Sequence, residues 1–90
     1  MRKDIEERLR RVIRENFGEE IEEFTNDSEC SIIENDDFAF GDLGFDSMIM
    51  MMLFTIIEEE FDIVVEDEDL TLDFELFSYM VDYLVNKITN

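Results

Sequence analysis

The stretch Gly44-Phe45-Asp46-Ser47-Met48-Ile49-Met50-Met51-Met52-Leu53-Phe54-Thr55-Ile56-Ile57-Glu58-Glu59-Glu60-Phe61 decides the architecture of this chain. Beyond Ser47 it consists of good helix formers without Gly or Pro, and Asp46 or Ser47 is suited to cap it, which predicts a helix over Ser47–Phe61. Its first three turns are apolar on all sides. A helix of that kind is either buried on several faces or keeps an apolar surface for a partner.

Upstream, Ile5, Leu9, Val12, Ile13 and Phe17 recur at helical spacing and predict a helix from Asp4, opened by an Asp4/Glu7 capping box and closed by Gly18. On its polar face Asp4–Arg8, Glu6–Arg10 and Glu7–Arg11 stand four residues apart, so the basic residues are expected to pair with these acids and form a solvated face. Residues 18–46 hold all three glycines and many Asn, Asp and Ser and read as loop. Within it, Ile21 and Phe24 pin a short turn, leaving about 25–46 as one long loop in which Ile32, Ile33, Phe38 and Phe40 pack down. Downstream, Ile63-Val64-Val65 is β-prone, Glu66–Leu70 suits one acidic turn, and a last helix is expected from an Asp73 cap, with Phe74, Phe77, Met80, Val81, Leu84 and Ile88 on one side. Three main helices with one or two short ones imply a small all-α bundle.

Ninety residues, 46% of them apolar, with nine Phe and six Met, provide for one modest core and a single domain spanning residues 1–90. The formal charge of -19 disfavours nucleic acid and anionic membrane surfaces as partners, and residues 15–86 contain no positive side chain. No run is apolar enough for a bilayer span and the N-terminus lacks a signal-peptide core, so no membrane insertion and a cytoplasmic, monomeric protein are expected.

The absence of histidine removes a Ser-His-Asp nucleophile and the usual zinc sets. Cys30 is alone, without a basic neighbour, and is expected to be a free, unreactive thiol. A calcium loop starting at Asp36 fails, because Phe38, Phe40 and Ser47 occupy ligand positions, and one starting at Asp62 lacks the central glycine. No metal site is expected. Ser47 itself, at a loop-to-helix junction, reads either as an ordinary cap or as a post for an attached phosphate, which a helix N-terminus favours.

Asp42-Leu43-Gly44-Phe45-Asp46-Ser47-Met48 resembles the D-L-G-x-D-S-L signature of acyl carrier proteins. Glu58-Glu59-Glu60-Phe61-Asp62 is similar to that family's second-helix ending, Asp69-Leu70-Thr71 through Leu84 to its third loop and fourth helix, and Ile5-Glu6-Glu7-Arg8-Leu9 to its first helix. The resemblance implies a four-helix acyl-carrier-like bundle with a short third helix, and a free-standing carrier that catalyses nothing. It further implies that a phosphopantetheinyl transferase attaches 4'-phosphopantetheine to Ser47, beside Asp46 and Gly44, and that acyl-loading and acyl-processing enzymes use the arm's thioester. Fatty-acid, polyketide or peptide biosynthesis would be the setting. The alternative is an unmodified acidic interaction module with the same bundle.

Two features depart from the family pattern. The segment before Ser47 is longer by roughly nine residues. Acids common two and five residues after the serine are replaced by Ile49 and Met52. With Met48 and Met51 these would form an apolar partner-binding patch, continued by Glu58 and Glu59, unless Ile32, Ile33 or Phe38 from the long loop covers it.

Overall fold

The computed structural model describes residues 1–89. Three α-helices carry the fold: α1 (Arg2–Thr25), α2 (Ser47–Phe61) and α3 (Phe77–Thr89). Two 3₁₀ turns, Ser31–Glu34 and Phe40–Leu43, separate α1 from α2, and a third, Asp67–Thr71, takes the place of the expected short third helix. Among the described residues there is no strand, only an isolated antiparallel bridge between Ala39 and Leu76. The all-α bundle is as expected.

Helix α1 does not stop at Gly18. Ile5, Leu9, Val12, Ile13, Phe17 and Ile21 form one buried stripe, and burying Ile21 outweighs the roughly 1 kcal/mol that glycine costs inside a helix. The helix closes instead at Asn26, in the left-handed conformation at φ 59°, where the Asn26 N–H donates to the Glu22 carbonyl. It also begins earlier than Asp4. Ile5 N–H donates to the Met1 carbonyl, so Asp4 lies within the first turn and the expected capping box does not form.

The arginines of α1 do not take the partners that spacing suggested. Arg8 and Arg11 both reach Glu60 of α2 at 3.1 Å, and Arg10 donates to the carbonyls of Ile33 and Asn35. Arg14 donates to the Glu29 carbonyl and pairs with Glu34. An exposed pair along one helix contributes only about 0.2–0.5 kcal/mol, whereas a loop without regular structure presents carbonyls that need donors. The guanidinium groups therefore fasten the 26–46 segment and α2 to α1.

That segment is an ordered brace. Cys30, Ile33, Phe38, Phe40, Leu43 and Phe45 are buried, with Phe38 stacked on Phe77 at 4.7 Å between ring centroids. It runs across the start of α3, where Phe77 N–H donates to the Phe38 carbonyl at 2.8 Å and Asp37 accepts from Ser78. These contacts explain why α3 opens at Phe77 and not near Asp73. The Asp73 carboxylate is spent on the Glu75 N–H, which makes a local turn, and Phe74 stands outside the helix. The β-prone Ile63–Val65 likewise forms no strand, because Ile63 N–H donates to the Glu58 carbonyl and Val65 N–H to the Glu58 carboxylate.

Helix α1 packs against both α2 and α3. Across the gap between α2 and α3 runs an aromatic ladder, Phe54–Phe74–Tyr83, with centroids 4.9 and 5.1 Å apart. The turn Asp67–Thr71 is held to α3 at Asp69, whose carboxylate accepts from Lys87 Nζ at 2.8 Å and from the Tyr83 hydroxyl at 2.7 Å. The bonds from Lys87 and Tyr83 bring the Asp69 carboxyl down to about 2, and the Asp69 bond raises Lys87. Burial, then the same carboxylate, pushes the Tyr83 phenol up.

Candidate functional site

The site is built where the Phe40–Leu43 turn hands over to α2. Gly44 closes the turn at φ 81°, a conformation that costs an L-residue with a side chain about 1–2 kcal/mol. Space adds a second demand on it: a Cβ at Gly44 would stand 2.5 Å from Cγ of Phe24, which lies over it from the last turn of α1. Phe45 turns inward, 5.2 Å from Phe17 and 5.8 Å from Phe40 between centroids.

Asp46 is the N-cap. Its Oδ1 accepts from Ile49 N–H and its carbonyl from Met50 N–H, each at 2.9 Å. Ser47 is therefore the first helical residue and not the cap, so its side chain is not spent on ending the helix. It is exposed, and it borders a cleft of about 370 Å³ between α2 and the chain leading into α3. Phe40, Phe45, Met50, Phe54, Leu70 and Phe74 make that cleft apolar, with Glu75 its one charged lining residue. A phosphate ester on Ser47 would meet the unpaired N–H groups and positive dipole end of α2, and a chain leading from it would find apolar walls at once. The residues present fit a 4'-phosphopantetheine arm.

The patch after Ser47 is open to solvent. Met48 is 73% exposed and Met51 and Met52 are 51% each, while Ile49 is half-buried against the core. Of the three residues expected to cover them, Ile33 and Phe38 are buried in the core and Ile32 packs, partly buried, against it. At the far end of α2, Glu59 is exposed, whereas Glu58 is half-buried with its carboxylate on Val65 N–H. Cys30 is buried and unpaired, with its Sγ 3.6 Å from the Gly18 carbonyl. Among the described residues no three His, Cys, Asp or Glu are arranged to hold a metal ion, and no helix is long and apolar enough to cross a membrane.

Residue reading missed Phe24 and Leu70 as parts of this region. The available signal for Phe24 was Ile21, which continues the apolar stripe one turn past Phe17 and so keeps α1 going to Phe24.

Compared with known families, the chain matches the model described as "Phosphopantetheine attachment site" over residues 7–84. No solved structure matches it. Domains of this family carry covalently attached 4'-phosphopantetheine, are not catalysts themselves, and work with modifying and acyl-processing enzymes. The match begins in the second turn of α1 and ends inside α3, taking in every element that builds the cleft: this chain belongs to the phosphopantetheine attachment family, the acyl-carrier type of protein.

Proposed function

We propose that this protein is an acyl carrier, a single domain on which a phosphopantetheinyl transferase attaches the 4'-phosphopantetheine arm to the Ser47 hydroxyl. The arm supplies a thiol that holds an acyl group as a thioester. The observation that carries this reading is the position of Ser47, exposed at the first residue of α2, relieved of capping by Asp46 and bordering an apolar cleft. Asp46 fixes the first turn of α2, and Gly44 supplies the left-handed bend that brings Ser47 to the surface. The aromatic and methionine walls of the cleft would shield an apolar acyl group from water, which favours fatty-acid, polyketide or related specialised biosynthesis over transport of a charged aminoacyl group. A cytoplasmic setting, where coenzyme A is at hand, fits this role.

Partner enzymes would dock on α2 beside Ser47, through Met48, Ile49, Met51 and Met52, with Glu59 and the accessible part of Glu58 at the far end. Three exposed methionines make a deformable apolar surface able to repack against several enzymes in turn. The surrounding negative field speeds encounter with basic faces, while the apolar centre supplies affinity that salt does not screen.

Intact-mass measurement after incubation with coenzyme A and a broad-specificity transferase tests the proposal. A single phosphopantetheine-sized gain that disappears in Ser47→Ala is expected. An unchanged wild-type mass, or a gain that survives Ser47→Ala, would exclude it and leave the unmodified interaction module.

A further inference from the structure

Phe24 is 62% exposed at the end of α1, an unusual place for a large aromatic side chain in so small a domain. It packs on Gly44, whose Cα is three residues, hence no more than about 11 Å, from that of Ser47. An enzyme that acts on Ser47 must cover its surroundings. A standard interface takes about 800 Å² of each partner, a disc of roughly 16 Å radius, and Phe24 falls inside such a disc centred on Ser47. So do Met48, Met51 and Met52, since Met52 lies only about 8 Å along the helix axis from Ser47.

The charged residues flanking Phe24 in the chain are all acidic. Glu19, Glu20, Glu22 and Glu23 occupy the last two turns of α1, and no basic residue stands in the last turn to complement the helix dipole. Carboxylates at a helix C-terminus oppose the macrodipole and cost helix stability that nothing in this chain offsets there. A partner with basic residues would offset it.

We infer that Phe24 is a docking anchor for the enzymes that act on Ser47, entering an apolar socket with a basic rim, and that together with Met48, Met51 and Met52 it makes a two-part contact bracketing Ser47 along the chain. The inference rests on the carrier function proposed above. A second copy of this chain is a poor occupant, because its net charge of -19 and acidic surroundings would meet their like.

The test is the steady-state kinetics of loading by a broad-specificity phosphopantetheinyl transferase with coenzyme A. Phe24→Ala is expected to raise the KM for the carrier about tenfold, the loss typical of one aromatic anchor, with kcat held within about twofold. Phe24→Lys should weaken loading more than Phe24→Glu, because only the lysine opposes a basic rim. Val64→Ala, equally exposed at 63% but beyond the far end of α2, should change nothing. Unloadable Ser47→Ala protein should inhibit loading of wild type, and Ser47→Ala/Phe24→Ala should need about tenfold more protein for the same inhibition.

A wild type that takes no phosphopantetheine overturns the carrier function and this inference with it. A wild type that loads while Phe24→Ala keeps its KM, or loses only kcat, overturns the anchor alone. The Lys and Glu variants retain a stem over Gly44, so they decide the matter even where Phe24→Ala lowers stability.

Discussion

The Asp37 carboxylate accepts both the backbone N–H and the hydroxyl of Ser78, at 2.8 and 2.7 Å, across 41 residues of chain. A side chain of the 26–46 segment thus caps α3, a task that local sequence normally performs. Burial works to raise the Asp37 carboxyl, but the bonds from Ser78 and Phe38 and the charge of Arg10 outweigh it and hold the group below its ordinary value. Asp37→Ala is expected to destabilise the fold by about 1 kcal/mol, a fall of roughly 4–8 °C in Tm by calorimetry, with Ser78→Ala showing part of the same loss. Independent, additive effects of the two substitutions would show that the Ser78 hydroxyl does not bond Asp37.

Gly44 is required twice, by its left-handed backbone and by the overlying Phe24 ring. Gly44→Ala should cost about 1–2 kcal/mol in urea unfolding from the backbone alone, and more with the steric overlap. In a Phe24→Ala background the overlap with the ring, at 2.5 and 2.6 Å, is removed and only that with the residue 24 Cβ, at 2.9 Å, remains, so Gly44→Ala should cost less there than in wild type. Equal costs in both backgrounds would place Phe24 away from Gly44.

Asp69 links the Asp67–Thr71 turn to α3 and, through Leu70, sets one wall of the cleft. Its carboxyl titrates at about 2 in the folded protein against 3.8 ordinarily, held down by Lys87 and then Tyr83. A depressed folded value contributes stability that is fully present above the unfolded value and disappears as pH falls through the folded one. The Tm difference between wild type and Asp69→Asn should therefore be constant near neutrality and close as pH falls from about 4 to about 2. A gap that stays open at pH 2 would mean that the Asp69 charge is not what the bonds from Lys87 and Tyr83 require.

No positive side chain occurs from residue 15 to residue 86, so compaction gathers like charges. Magnesium or moderate sodium chloride should raise Tm by screening them, with magnesium effective at the lower concentration. A Tm that is flat or falling in salt would show that the arginine pairs with Glu60 and Glu34, which salt weakens, matter more.

Much of this molecule was legible from local pattern because local physics decides it. The α2 boundaries follow from one capping residue and a run of good helix formers, and the acidic turn near Asp69 from a Glu66/Asp69 capping box. Local pattern ends α1 at Gly18, because glycine is a stop signal in isolation, whereas the deciding energy is the burial of Ile21 against other elements. Local pattern likewise starts α3 near Asp73, while Asp37 and Phe38, some forty residues upstream, supply its first hydrogen bonds at Phe77 and Ser78.

At the candidate site, local sequence is enough for three features: one serine after Asp46 at the mouth of a helix, no histidine to activate it, and an apolar run behind it. What surrounds that serine depends on how distant elements pack. The aromatic residues of the 26–46 segment turned to the core and left Met48, Met51 and Met52 in solvent, and the two further turns of α1 carried Phe24 onto Gly44. Exposure is a property of which surfaces cover which, and burial energy is settled between elements distant in the chain, so no window of sequence contains it.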